Sequence, residues 1–250
     1  ESLGCVNVIC TDKTGTLTQN KMQVKEIQYY GDKNTFLRAI ACSSNEDNAT
    51  EVAIKEFLRR ENYVFEGKKI FELAFTSDRK MMSSLYSING ENILYAKGAS
   101  EVILQKVKYL KTLNGIKIID QNDLLTINSD INILSNNGFR VITFAYRDSI
   151  YKNKLTFDDE IDLVYIGHIA LVDPLRAEAK TSVSDCLKAG IKPIMLTGDH
   201  KDTAVYIARE VGIYHDGDLA LTSDELKQMD EKQLEEKVGK VSVYARLTPS

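Results

Sequence analysis

The chain is 250 residues long, 43% hydrophobic and 27% charged, with 3 Pro and no Trp, a composition that fits one large or two medium globular domains with ample length for a core. Its 32 basic and 36 acidic side chains leave a formal net charge of −4, which argues against nucleic acid as a partner. No segment approaches the roughly 18 uninterrupted apolar residues of a membrane helix and no signal-peptide pattern is present. Cys5, Cys10, Cys42 and Cys186 lack metal-ligand spacing and read as reduced core residues, while the dispersed His168, His200 and His215 make a structural zinc site unexpected.

Val6-Asn7-Val8-Ile9-Cys10-Thr11 is a short apolar run rich in β-branched residues that ends at Asp12 and turns through Lys13-Thr14-Gly15-Thr16-Leu17-Thr18. It predicts a buried parallel strand, with Asp12 at the carboxyl end where open α/β sheets place their chemistry. One strand has nothing to pair with, so its sheet must return later. Residues 21–172 read differently, with alternating segments at Lys69–Phe75, Met82–Ile88, Ile93–Lys97, Arg140–Tyr146 and Val164–Leu171. Helical spacing falls at Thr35–Cys42, Ala49–Glu61, Ser100–Lys106 and Leu124–Asn136, and Asn114–Asp130 reads as a loop and helix start.

After Asp173 the pattern changes again. Ala177–Ala189 is helical and stops at Gly190, and Asp173-Pro174 has the local chemistry of a helix start, Asp as N-cap and Pro at the first helical position. A strand at Ile191–Leu196 leads into Thr197-Gly198-Asp199, then a helix at Asp202–Val211 ends at Gly212. A strand around Leu219–Leu221, a charged helix capped by Ser223 with Leu226, Met229 and Leu234 inward, and a strand at Val241–Ala245 complete the series. Strands alternating with helices predict a parallel, doubly wound sheet. The fold class is thus α/β: a parallel-sheet domain at 1–20 and 173–250, split by an inserted α+β antiparallel-sheet domain at 21–172.

The run Asp12-Lys13-Thr14-Gly15-Thr16-Leu17-Thr18 resembles, at all seven positions, the phosphorylation motif of P-type ion-pumping ATPases. Leu3-Gly4-Cys5 and Gln19-Asn20-Lys21-Met22 on either side resemble the calcium-pump branch. The resemblance implies a haloacid-dehalogenase-like phosphorylation domain in which Asp12 attacks the γ-phosphorus of ATP. A carboxylate meeting a polyphosphate needs cations to offset the repulsion of two anions. By the same resemblance the Asp12 carboxylate and the Thr14 carbonyl hold Mg²⁺, and the amides from Lys13 to Gly15 face the phosphoryl oxygens. Related phosphatases carry a second Asp, a general base, where this chain has Thr14, which implies a longer-lived aspartyl phosphate. The plainer reading of Asp12 is a strand-end Asp capping a turn.

Seven further segments resemble the family. Thr197-Gly198-Asp199 matches its second signature; taken alone, it is a turn with Asp199 capping the next helix. Lys97-Gly98-Ala99 resembles the motif of the adenosine pocket, or else a solvated turn, and Phe75 the aromatic platform for adenine, assisted by Lys80, or else a core Phe. Ser77 stands where the calcium-pump pattern has an Arg. Glu51, near the adenine, and Arg140, directed to the phosphates, match segments that otherwise read as surface. Asp173-Pro174-Leu175-Arg176 resembles the interdomain hinge, and Arg246 a nucleotide-proximal position at a strand end.

A Lys just after Thr248-Pro249, a Gly-Asp-Gly-x-Asn-Asp motif, the actuator segment and the membrane helices of the family do not occur in this sequence. The expectation is therefore an excised cytoplasmic piece of a pump, with ATP as substrate, Mg²⁺ as cofactor and a cation, Ca²⁺ by resemblance, transported by the intact protein. By itself the piece should turn over negligibly. The rivals are a soluble haloacid-dehalogenase-type phosphatase, which Thr14 disfavours, and a non-catalytic nucleotide-binding module.

Overall fold

The computed structural model describes residues 6–44 and 48–247, so the flank Leu3-Gly4-Cys5 and the pair Thr248-Pro249 lie outside the described residues. In chain order the elements are β1 (Val8–Asp12), β2 (Gln23–Tyr29), α1 (Lys33–Cys42), α2 (Ala49–Arg60), β3 (Lys68–Thr76), β4 (Met81–Ile88), β5 (Glu91–Gly98), α3 (Ser100–Lys106), β6 (Val107–Thr112), β7 (Gly115–Ile118) and α4 (Gln121–Asn136). They continue with β8 (Arg140–Arg147), β9 (Leu163–Val172), α5 (Ala179–Lys188), β10 (Lys192–Leu196), α6 (Lys201–Val211), β11 (Leu219–Thr222), α7 (Ser223–Lys227), α8 (Glu231–Val238) and β12 (Val241–Ala245). They form two compact units, residues 1–21, 135–139 and 173–250 in one and residues 22–134 and 140–172 in the other.

The first unit holds a four-stranded, all-parallel sheet in the order β1-β10-β12-β11. The amphipathic faces of α5 and α6 cover it, with Val183, Ala204, Ile207 and Val211 packed against Met195, Val243 and Ala245. Gly212 ends α6 in the left-handed conformation at φ 84°. Three sequence expectations change here. β1 is an edge strand with Val8 48% and Ile9 37% exposed rather than a buried one, and Cys10 is exposed on it. Thr222, not Ser223, is the cap, closing a capping box with Glu225. The charged helix is two helices, α7 and α8, neither with a buried residue, and Leu234 is exposed.

The second unit is built on a sheet in the order β3-β4-β5-β8-β9-β6-β7, with β2 also paired to β9. It is mixed rather than antiparallel, because β6 runs parallel to β9. Three strands in it escape the sequence reading: β2, β6 and β7, the last inside a stretch read as loop. α1 and α2 pack Phe36, Ile40 and Ile54 against Phe144, Ile166 and Ile169, each worth about 1.5–3 kcal/mol of burial. Ile103 of α3 and Ile127 of α4 seed the two smaller clusters. Side chains of Asp32 and Asn48 cap α1 and α2. Gly167 in β9, at φ 150°, lets β2 approach so closely that an added Cβ would lie 2.3 Å from the Gln28 carbonyl oxygen.

Candidate functional site

The residues singled out in the sequence fall into two groups, one in each unit. In the parallel-sheet unit, Asp12 closes β1 in register with Leu196 of β10, so the loops that follow these two strands leave the same sheet edge. The Lys13 ammonium forms an ion pair with the Asp199 carboxylate, which ties the two loops directly. Asp199 therefore does not cap α6; His200 does. The carbonyl oxygen of Asp199 accepts from the amide of Arg246 at 3.0 Å, and that of Thr197 from Leu247 at 3.1 Å, adding the end of β12 to the cluster. Thr197 is buried, Gly198 is exposed, and Arg246 is exposed with φ 52°.

The Asp12 loop is held from behind. The Thr18 hydroxyl donates to Asp173 Oδ2 at 2.5 Å, and the Lys21 amide donates to Asp173 Oδ1 at 3.1 Å. Arg176 Nη2 donates to the Gly15 carbonyl at 2.9 Å and Nε to the Thr18 carbonyl at 3.2 Å. Main-chain bonds from Gln19 to Pro174 and from Arg176 to Leu17 complete a strap. This corrects the helix-start reading of Asp173-Pro174: α5 begins six residues later, at Ala179, with Glu178 as its N-cap. Gly15 sits at φ 80°, a conformation costly for other residues. Its amide donates to Thr18 Oγ1 at 3.3 Å and that of Thr14 to Asp12 Oδ1 at 3.4 Å, so these two amides bond within the loop. Asp12 itself is exposed.

Among the described residues no group of three or more His, Cys, Asp or Glu side chains is arranged to hold a metal ion. The exposed Asp12 carboxylate and a main-chain carbonyl at Thr14 are nonetheless the hard oxygen donors that Mg²⁺ takes, with water and substrate oxygens completing an octahedron. The donor set fits that ion.

In the mixed-sheet unit, Glu51, Phe75, Lys80, Lys97, Gly98 and Arg140 all line one cavity of ≈ 590 Å³, a volume within the range of small-ligand sites. Glu51 lies in the first turn of α2, where its amide is capped by Asn48 Oδ1 at 3.0 Å. It is 4% exposed rather than on a solvated face. Its Oε1 pairs with the Lys97 ammonium, at side-chain exposures of 5% and 6%. Its Oε2 is buried without a hydrogen-bond partner. Phe75, at the end of β3, is 44% exposed and so is not a core residue. Arg140 begins β8 and donates to Thr50 Oγ1 at 3.2 Å. An added Cβ on Gly98 would lie 2.5 Å from the Lys80 carbonyl oxygen, so Gly98 lets the β3–β4 turn close over the strand. Ser77 lies in that turn, and the nearby Arg79 does not take over as a pocket cation, since its guanidinium bonds to Ala74 and Glu160.

The chain thus combines an exposed carboxylate at the edge of a parallel sheet with a cavity lined by cationic side chains in a second, mixed-sheet unit. A profile of the family described as P-type ATPase, cytoplasmic domain N, matches residues 38–178, more than half of the sequence. The chain belongs to the P-type ATPases. It is 34% identical over 276 residues to calcium-transporting ATPase 1 of Lactococcus lactis and 33% over 277 residues to calcium-transporting ATPase 1 of Bacillus cereus. It is 33% identical over 303 residues to calcium-transporting ATPase 1 of Saccharomyces cerevisiae. Each comparison takes in 100% of this chain and 31%, 31% and 32% of the respective relative, so the chain spans about a third of their length. Among the described residues no helix is long and apolar enough to cross a membrane.

Proposed function

We propose that this chain is the nucleotide-binding and phosphorylation part of an ATP-driven cation pump, with Ca²⁺ as the cation suggested by the names of its relatives. In this reading residues 21–172 form the nucleotide-binding domain, and residues 1–20 with 173–250 form a haloacid-dehalogenase-like phosphorylation domain on the cytoplasmic face of a membrane. The observation that carries the nucleotide reading is that Glu51, whose buried Oε2 has no partner, borders a cavity walled by an exposed Phe and by Lys80, Lys97 and Arg140. A buried carboxylate oxygen calls for a donor. The exocyclic amine of adenine supplies one, whereas guanine presents a carbonyl oxygen at that position. Phe75 offers a face for the base, and the exposed cations Lys80 and Arg140 suit a polyphosphate.

The transfer step follows from the acceptor loop. An Asp12 carboxylate oxygen attacks the γ-phosphorus, the bond from that phosphorus to the β,γ-bridging oxygen breaks, and the electron pair leaves with ADP, giving an aspartyl phosphate. Lys13 and Thr14 orient the loop, Thr197, Gly198 and Asp199 border the phosphoryl group, and Arg246 is assigned to the nucleotide by the resemblance of its segment to the family. Mg²⁺ bound by Asp12 and Thr14 would neutralise phosphate charge. With Thr14 two positions after Asp12, no side-chain carboxylate stands there to activate water, which favours a persistent phosphoenzyme over a phosphatase.

Calorimetric titration of this chain with ATP and GTP tests the reading. We expect ATP to bind at least tenfold more tightly, Glu51→Ala to erase that preference, Lys97→Ala to abolish binding and Asp12→Ala to leave it unchanged. A folded chain that binds neither nucleotide, or both equally, would overturn it.

A further inference from the structure

Two of the pocket's side chains, Phe75 and Lys80, flank the β3–β4 turn and are exposed. Exposed side chains at a hairpin tip gain little fixed position from core packing. The turn is instead fastened at Arg79. Its Nη1 donates to the Ala74 carbonyl at 3.0 Å, its Nη2 donates to Glu160 Oε1 at 2.5 Å, and its guanidinium carbon lies 4.4 Å from the centroid of the Phe157 ring. The Arg79 amide donates to Thr76 Oγ1 at 3.3 Å and the Lys80 amide to the Thr76 carbonyl at 2.8 Å, so the turn is also closed on itself.

Glu160, in the segment just before β9, is 1% exposed. A buried carboxylate persists only where it is paired and hydrogen-bonded, and its partners here are Arg79, the Ser83 hydroxyl at 2.7 Å and, at 4.0 Å, the Lys106 ammonium. Arg79, Phe157 and Glu160 do not line the cavity. A buried carboxylate thus spends its main pairing on a cation that belongs to the turn. The fork of a guanidinium, which bonds a carbonyl and a carboxylate in one plane, fixes orientation as a lysine ammonium does not.

We propose that Arg79 and Glu160, with Phe157 beneath the guanidinium, are positioning residues of the pocket: they clamp the β3–β4 turn so that Phe75 and Lys80 are in place before the ligand arrives. The proposal rests on the nucleotide reading of this cavity and adds to it the group that pre-orders its base platform. Pre-ordering raises affinity because less freedom is lost on binding.

The test is ATP titration of the 250-residue chain carrying Arg79→Lys, Phe157→Ala or Glu160→Gln, each alone and combined with Phe75→Leu, with thermal unfolding alongside. Each single change should weaken ATP binding by about tenfold and remove the nuclear Overhauser contacts between adenine protons and the Phe75 ring. In the Phe75→Leu background the further loss should shrink to under about twofold, a coupling that a merely structural ion pair would not produce. If Glu160→Gln fails to fold, the variants Arg79→Lys and Phe157→Ala decide. Wild-type affinity and intact contacts in those two variants, or losses that add fully to that of Phe75→Leu, would overturn the clamp while leaving the pocket standing. A folded wild-type chain that does not bind ATP would overturn the pocket, and the clamp with it.

Discussion

The two units treat charge in opposite ways. In the mixed-sheet unit the central ionic pair of the cavity is withdrawn: Lys97 and Glu51 meet at side-chain exposures of 6% and 5%, on a strand end and a helix start that are both packed into the core. In the parallel-sheet unit Asp12 is exposed at the end of an edge strand, and its loop is ordered from behind by Asp173 and Arg176. A binding pocket can take its geometry from packing, because the ligand enters a space the core defines. Asp12, as the proposed phosphate acceptor, would have to stay open to its donor, so the order of its loop has to come from hydrogen bonds on the side away from that carboxylate.

That contrast can be broken most sharply at Lys97. Lys97→Ala strands the Glu51 carboxylate in the interior, and breaking a buried pair costs about 3–5 kcal/mol. Denaturant unfolding followed by probes in each unit should show the loss in the mixed-sheet unit, and Lys97→Ala with Glu51→Ala should recover part of it. Equal loss in both units would mean that they unfold as one and that the contrast has no energetic counterpart. Asp173→Ala should cost about 1–3 kcal/mol, since it removes two hydrogen bonds to a charged acceptor and leaves the Thr18 hydroxyl only the Lys13 carbonyl. Amide exchange should quicken from Lys13 to Lys21 while ATP affinity holds; a drop in affinity instead would argue against separate roles. Gly98→Ala drives a Cβ toward the Lys80 carbonyl at a cost of about 1–3 kcal/mol, and amide shifts should spread through Thr76–Lys80 without reaching the Asp12 loop.

The smallest effect is pH-dependent. His168 of β9 is 1% exposed, bonds Tyr165 through Nδ1 at 2.7 Å and leaves Nε2 without a partner. Burial holds its pKa below the ordinary value, against the opposing pull of the Asp130 carboxylate. A depressed folded pKa means stability that is present above the unfolded value of about 6.5 and lost as pH falls below it. The mixed-sheet unit should therefore lose melting temperature on acidification from pH 7 to 5.5, and His168→Gln should flatten the slope. An unchanged slope in that variant would assign the acid sensitivity to other groups.

Much of the architecture was legible in the residues. Ser100–Lys106, Ala49–Arg60, Lys201–Val211 and Val241–Ala245 lie within a residue or so of where periodicity, caps and terminal glycines put them, because those signals are local. β2 and β7 were not legible: Gln23–Tyr29 and Gly115–Ile118 are weakly alternating and largely exposed, and they are strands because β9 and β6 supply hydrogen-bonding edges. The exposure of β1 escaped for a related reason, since a buried and an edge strand share the same β-branched composition. The clamp at Arg79 and Glu160 lay beyond reach, its partners 81 residues apart with no motif to mark them.

By itself, then, the sequence determined the residue types that can perform the chemistry and the local elements on which they sit: an Asp at a strand end beside a hydroxyl-rich loop, a Lys-Gly at another strand end, an aromatic before a turn. Which of them share a cavity, and whether Asp173 caps a helix or anchors a loop, was decided only by tertiary structure. Hydrogen-bonding and ionic partners such as Asp173 and Thr18 are chosen by chain topology across 155 residues of sequence, and no local pattern encodes that choice.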